Sequence, residues 1–162
     1  MVNKSALVSI IKEITSCKAP PCKKTLQKIV FLIEAKNIDI GCDYGIHFYG
    51  PYSSDLDFAV RELSDEGVLE IEYTSMEHII NVVNDSLVDD YNNDIANTII
   101  SEFAKETPSE LELIATALYV YLQNGDVHKI KSDVIKIKGN KYTEKRIDDA
   151  ICKLEKAGYI AA

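Results

Sequence analysis

Residues 44–73, YGIHFYGPYSSDLDFAVRELSDEGVLEIEY, constrain the fold more than any other segment of this 162-residue chain. The sequence from 44 to 49 alternates with a period of two, which is typical of a short strand. Gly50-Pro51 then predicts a turn, because Pro51 fixes its own φ and disfavours the helical region for Gly50. The chain is therefore expected to end its strand at this point and to continue as a helix.

An amphipathic helix is predicted directly after this turn. Its expected cap is Ser53 or Ser54, and its expected end is Gly67, which adopts a left-handed backbone readily. Beyond Gly67, residues 69–73 and 78–83 read as the two strands of a β-hairpin. The helix positions predicted to face inward are Leu56, Ala59, Val60 and Leu63.

Two further helices are predicted upstream, over about residues 3–15 and 23–36, with Pro20-Pro21 separating them. The order helix, helix, strand, helix, hairpin is typical of a winged helix-turn-helix that carries an insertion before its third helix. We therefore expect residues 1–84 to form a winged-helix-like unit.

The chain from 85 to 162 is predicted to be helical. Ser86 and Asp89 indicate the start of one helix, and the sequence TPSE at 107–110 indicates the next, with Thr as cap and Pro in the first turn. Thr143 opens the last helix. The predicted fold class is thus mainly α with a small antiparallel β-hairpin, in two units.

A short internal similarity links the two units. Residues 60–71 align without gaps on residues 151–162, sharing a leucine, then a glycine, then apolar positions. This is either a duplicated winged-helix half or the generic helix-to-wing pattern arising twice. The second unit is accordingly either a degenerate winged helix packed on the first or a purely helical unit.

The net charge of −8 is unevenly distributed. Residues 29–126 carry three basic and twenty acidic side chains, whereas residues 1–28 and 127–156 have net charges of +5 and +4. An acidic middle repels a phosphate backbone. The basic ends form an anion-binding surface only if the fold brings them together.

The residue inventory excludes several classes of site. Cys17, Cys22, Cys42 and Cys152 lack metal-ligand spacing, so neither a zinc site nor a disulfide framework is predicted. The sequence has no phosphate loop, nucleophile elbow or HExxH motif. We expect no catalytic residue, metal or cofactor, and hence no enzyme. Without a signal peptide or an apolar run of membrane length, we expect a cytoplasmic protein with no membrane partner.

A protein-partner surface is the first functional hypothesis. Tyrosine is enriched at interaction hot spots, and two tyrosines flank the Gly-Pro dipeptide. The alternative is a packed turn in which the two tyrosine rings cover the edge of the core. The following helix exposes five acids against one arginine, a pattern that disfavours readout of a DNA groove. The candidate partner-binding residues are Tyr49, Pro51, Tyr52, Asp55 and Arg61.

A DNA-binding transcriptional regulator, acting as a homodimer, is the alternative hypothesis. It would use the basic segment 129–146, because clustered lysines release counterions from phosphates. The candidate nucleic-acid-binding residues are Lys129, Lys131, Lys136, Lys138, Lys141, Lys145 and Arg146.

Two motifs carry a resemblance to a known family. The sequences KTLQKIVFLIE at 24–34 and FYGPYSSDLDFAVRELSDEGVLE at 48–70 resemble the LQK helix and GPYS turn of Panacea-domain proteins and their uncharacterised prokaryotic and phage-associated relatives. The resemblance covers about residues 5–83. It implies a winged-helix-like or compact helical scaffold and, for some members, a role as an antitoxin or proteolysis adaptor. A toxin or another protein is then the expected partner of a non-enzymatic interaction module.

Overall fold

The computed structural model describes residues 1–161. Within them the chain forms seven helices and two separate two-stranded antiparallel sheets, which confirms a mainly α protein with a small hairpin component. The helices are α1 (Lys4–Cys17), α2 (Lys23–Glu34), α3 (Ser54–Asp65), α4 (Asp94–Phe103), α5 (Pro108–Asn124), α6 (Ile130–Lys138) and α7 (Glu144–Lys156). The strands are β1 (Gly45–His47), β2 (Gly50–Tyr52), β3 (Leu69–Tyr73) and β4 (His78–Val82).

Helices α2 and α5 form the centre of the fold. Every residue from Thr25 to Ile33 is buried, although the sequence pattern predicts only one inward stripe. The reason is that α4, α5, β2 and β4 surround α2. Residues 111–118 of α5 are buried in the same way. One continuous hydrophobic core therefore joins the two predicted units, with α2 packed on α5 and α1 on α4.

The chain turns two residues earlier than the Gly-Pro dipeptide predicts. Phe48-Tyr49 form the turn, and Gly50–Tyr52 is itself a strand paired with Gly45–His47. Hydrogen-bonded and non-hydrogen-bonded pairs alternate along an antiparallel ladder. Pro51 lies opposite Ile46, at a non-hydrogen-bonded position, so its missing N–H removes no ladder bond. The predicted turn at Gly50-Pro51 is therefore wrong.

The helix predicted to begin at Ser86 or Asp89 begins later. Residues 85–87 make a single 3-10 turn, and α4 starts at Asp94 with Asn93 as its cap. The intervening backbone is bonded to α1 instead of to itself: Asp89 N–H donates to Ser5 Oγ (3.2 Å), and the Ser9 hydroxyl donates to Tyr91 C=O (2.8 Å).

Other helix boundaries agree with the sequence. The Ser53 hydroxyl accepts from Leu56 N–H, and the Thr107 hydroxyl accepts from Glu110 N–H. Gly67 has a positive φ of 81° directly after α3. The hairpin of β3 and β4 also forms as predicted. These are confirmed predictions of local structure.

The C-terminal half, as far as residue 161, contains no strand. Where β3 follows α3, the corresponding segment after α7 is irregular: Ile160 is buried and the Tyr159 hydroxyl donates to Leu32 C=O. Ala162, the last residue of the internal alignment, lies outside the described residues. The winged-helix relationship of either half stays a prediction. None of the helices in residues 1–161 has the length and hydropathy needed to span a membrane.

Candidate functional site

The LQK and GPYS motifs are in direct contact. The Gln27 side-chain amide donates to Ser53 C=O and accepts from Ser53 N–H, both at 2.9 Å. The Lys28 ammonium donates to Pro51 C=O at 2.7 Å. Both side chains are buried. Two adjacent residues of α2 thus fix the backbone of β2 and of the α3 cap.

The hairpin of β1 and β2 is also held by α5 and α6. Lys138 Nζ donates to Phe48 C=O at 2.7 Å. Gly50, at φ 94°, lies against α5 so closely that an added Cβ would be 2.9 Å from Thr116 Oγ1. Three helices therefore brace a hairpin with a two-residue turn, and we call residues 45–52 the braced hairpin.

A buried carboxylate lies beneath the braced hairpin. Glu112 of α5 accepts from Lys141 Nζ (2.7 Å) and from the Tyr142 hydroxyl, and Lys138 Nζ lies 3.2 Å from it. Burial alone would raise the pKa of Glu112, but the hydrogen bonds from Lys141 and Tyr142 and the charge of Lys138 outweigh it and lower that pKa. The carboxylate is therefore ionised in the folded protein at neutral pH.

Lys28, together with Lys138, Lys141 and Glu112, forms a cluster that contains more ammonium groups than carboxylates. Burial lowers the pKa of Lys28 to about 8; the carboxylate of Glu112 opposes this shift, and the charges of Lys138 and Lys24 add to it. Backbone carbonyls at Pro51 and Phe48 supply the remaining acceptors. The backbone carbonyls of the braced hairpin thus accept hydrogen bonds from buried lysines whose charges one carboxylate cannot neutralise.

Lys28→Met is expected to change the pH dependence of stability. The folded pKa of Lys28, about 8, lies below its ordinary 10.5, so between these values the unfolded chain binds more protons and stability rises with pH. The variant lacks this rise. Between about pH 8 and about pH 10 the wild type should gain about 2 kcal/mol relative to the variant. Urea unfolding of both proteins across this range tests the shift, and parallel stability curves would contradict it.

Two aromatic side chains project from the tip of the braced hairpin. Phe48 is 81% exposed and Tyr49 is 45% exposed, and their rings meet edge to face with centroids 5.0 Å apart. Lys24 Nζ lies 3.7 Å from the centroid of the Tyr49 ring. The tip therefore presents a large apolar surface on a backbone that is fixed from below.

The predicted partner-binding residues near the tip have different exposures. Tyr49 is at the turn itself. Pro51 is buried, with its carbonyl on Lys28, and acts as support for the tip. Tyr52 is half-buried, and its hydroxyl donates to Asp57 at 3.0 Å.

Asp55 and Arg61 lie on different sides of α3. Asp55 is exposed, accepts from Asp43 N–H at 3.3 Å and lines a hollow shared with Phe58. Arg61 lines the opposite side, next to Asp57. The five predicted residues therefore do not form one surface, because six positions along a helix turn the side-chain direction by about 120°, and Asp55 and Arg61 line different hollows.

Arg61 borders a groove between α2, α3 and the sheet of β3 and β4. The groove has a volume of about 140 Å³. Its floor is apolar, and Lys23 and Asp57 at its rim form an ion pair at 2.8 Å. The residues that line it are Lys23, Leu26, Gln27, Leu56, Asp57, Val60, Arg61, Ile71, Tyr73, His78 and Ile80.

The predicted nucleic-acid-binding residues are mostly paired with carboxylates. Lys131 lies 2.8 Å from Asp148, and Lys145 lies 3.2 Å from Asp149. Arg146 pairs with Glu110. Further pairs join Lys136 to Asp133, and Lys138 and Lys141 to Glu112. Lys129 is exposed and has no ion-pair partner within residues 1–161. Paired ammonium groups release fewer counterions from phosphate than free ones.

Sequence reasoning missed the residues that hold the site together. Gln27 and Lys28 were recognised only as letters of a motif, and Glu112 was not singled out. A signal for Glu112 exists: it is the single charged residue in LELIATAL, residues 111–118. A carboxylate inside such a run indicates a buried ion with a partner.

The fold and the braced hairpin define a small helical protein that presents a rigid aromatic tip. The chain is similar to the uncharacterized protein YwgA of Bacillus subtilis (strain 168), with 28% identity over 141 residues, which cover 82% of this chain and 84% of YwgA. No family model matches the chain.

Proposed function

We propose that this protein is a non-enzymatic protein-interaction module that binds its partner with the tip of the braced hairpin. The observation that carries the proposal is the exposed pair Phe48 and Tyr49 on a hairpin whose backbone accepts from two buried side chains, Lys28 at Pro51 C=O and Lys138 at Phe48 C=O. The Panacea resemblance of the same two motifs adds an antitoxin-like or regulatory role with a toxin or other protein as partner.

Rigidity of the backbone supports this proposal energetically. A binding loop that is already ordered loses little conformational entropy on association, so more of the contact energy appears as affinity. Aromatic side chains supply large contact area with few rotatable bonds.

The charge of the chain favours a basic or apolar partner. Residues 29–126 combine three basic with twenty acidic side chains, and α3 belongs to this segment, whereas the braced hairpin itself has no acid and its tip lies next to Lys24 and Lys138. Such a field accelerates the encounter with a basic surface and repels nucleic acid.

Phe48→Ser combined with Tyr49→Ser is expected to lower affinity for the captured partner at least about tenfold, because hot-spot aromatics carry most of the binding energy. The free energy of unfolding should change little, since both rings are exposed. The measurement is capture from the source cell, with a photo-crosslinking residue in place of the exposed His47 in every protein compared. Phe58→Ser, which removes another exposed aromatic on the far side of α3, is the matched control.

Two outcomes would contradict this proposal. One is equal capture by the double variant and by Phe58→Ser. The other is binding of mixed-sequence duplex DNA that weakens steeply with salt and is lost on replacing Lys129 and Lys136, which would favour the DNA-binding regulator.

A further inference from the structure

The outer edge of β3 carries backbone groups without a partner. Thr74 N–H donates to Glu77 C=O, and Val83 N–H donates to Val68 C=O, so the hydrogen-bonded pairs of this ladder fall on even-numbered residues of β3. The N–H and C=O groups of Leu69, Ile71 and Tyr73 point the other way. Within residues 1–161 they make no hydrogen bond.

The opposite edge of the same sheet is covered. Ile80 N–H donates to Pro21 C=O at 2.9 Å, and Cys22 forms an isolated bridge with Ile79. The segment before α2 thus closes the β4 edge, as natural proteins do to block unwanted pairing. The β3 edge is covered at Leu69, which is 2% exposed, but is left open at Ile71 and Tyr73.

The two faces of β3 differ in chemistry. Ile71 and Tyr73 line the apolar groove beside α3, and Tyr73 is 69% exposed. Glu70 and Glu72 lie on the other face and are exposed. A strand added at this edge would place alternate side chains against these two faces, because side chains directly opposite one another share a face.

We propose that the β3 edge binds an extended segment of a partner protein in which apolar and basic residues alternate. Its backbone bonds to Ile71 and Tyr73, its apolar side chains lie beside the groove, and its lysines or arginines lie opposite Glu70 and Glu72. The groove, at about 140 Å³, has room for one aliphatic side chain. This site lies outside the braced hairpin and does not depend on the function proposed for it.

Charge favours a basic segment at this edge over a second copy of the chain. A two-fold pairing of β3 with itself about Ile71 would set Glu70 of each copy opposite Glu72 of the other. Like charges directly opposite one another in a sheet are destabilising. A basic strand reverses the sign of both contacts, so the same two glutamates select a heterologous partner.

The probe is a short synthetic peptide of alternating valine and lysine with blocked ends, titrated into the full-length protein. Amide chemical shifts of Ile71 and Tyr73 are expected to move. The peptide pairs antiparallel to β3. Methylating the valine nitrogens should therefore abolish binding, because in an antiparallel pair the residue opposite Ile71 donates its N–H to β3. Methylating the lysine nitrogens should leave binding intact, since those N–H groups face solvent.

Charge reversal gives the second readout. Glu70→Lys combined with Glu72→Lys should weaken binding at least about tenfold and should create binding of the valine-glutamate peptide. Asp89→Lys combined with Asp90→Lys makes the same change in net charge away from β3 and is the matched control. The Phe48→Ser, Tyr49→Ser protein should bind the peptide like the wild type, which separates this site from the hairpin tip.

Several results would overturn the inference. They are no shift at these amides at saturating peptide, equal effects of the two methylated peptides, or equal effects of the two charge reversals. Shifts of the same amides that depend on protein concentration, without peptide, would place a second copy on the edge.

Discussion

Glu112→Gln is expected to lower the free energy of unfolding by about 3 kcal/mol, because it removes the carboxylate that neutralises buried ammonium groups and leaves them unpaired. The side chain keeps its shape, so the loss reports charge and not volume. Lys138, whose side chain is 5% exposed, would be left with only uncharged acceptors, Phe48 C=O and the new amide oxygen. Urea unfolding of both proteins at neutral pH measures the difference.

Glu110→Gln is the matched control for this change. Glu110 lies two residues earlier on α5 and pairs with Arg146, but both side chains of that pair are partly exposed. Water screens such a pair, so the control should lose at most about 1 kcal/mol. Equal losses in the two variants would mean that the buried cluster contributes no more than a surface ion pair.

The effect of Glu112→Gln should diminish in acid. The folded pKa of Glu112 lies below its ordinary 4.5, so its contribution is fully present above that value and is lost as the pH falls through the folded pKa. Stability curves of wild type and variant should therefore converge as the pH falls below 4.5.

Gly50→Ala is expected to lower the free energy of unfolding by about 3 kcal/mol, from two causes that add. A φ of 94° disfavours any side chain. The new Cβ would also lie 2.9 Å from Thr116 Oγ1 on the central helix α5, which cannot move away without disturbing the core. Thermal and urea unfolding test the loss.

Gly67→Ala separates these two causes. Gly67 has a similar φ of 81°, but an added Cβ there would have no atom within 4 Å. Gly67→Ala should therefore lower the free energy of unfolding only by the cost of backbone strain, about 1 kcal/mol. Equal decreases in the free energy of unfolding of Gly50→Ala and Gly67→Ala would disprove close packing of the braced hairpin on α5.

Features that depend on local interactions could be predicted from the sequence, and features that depend on distant residues could not. Caps at Ser53 and Thr107 and the stop at Gly67 were predictable, because a hydroxyl reaching an N–H three residues on is a local arrangement. The start of α4 was not predictable, since Ser5 and Ser9 of α1 hold residues 89–91 out of a helix. These two serines are more than eighty residues away from their partners along the chain.

The same distinction applies to the candidate site. Tyr49 and Arg61 were identified from residue type, and both are exposed. Pro51 looked like part of the same surface, but it is buried and its carbonyl accepts from Lys28 of α2, which is distant in sequence. Glu112 could have been suspected from its apolar surroundings, whereas its partners Lys138 and Tyr142 come from a distant segment.

The amino-acid pattern is enough to predict the helical fold class, most helix caps, the hairpin of β3 and β4 and the acidic character of residues 29–126. These follow from periodicity, capping and charge, which act between neighbours. Contacts between distant segments are needed to explain why Gly50–Tyr52 is a strand, why α2 is buried on all sides and how Gln27 and Lys28 hold the GPYS segment. Each of these depends on which distant groups a buried donor or acceptor finds, because unpaired polar groups are too costly in the core.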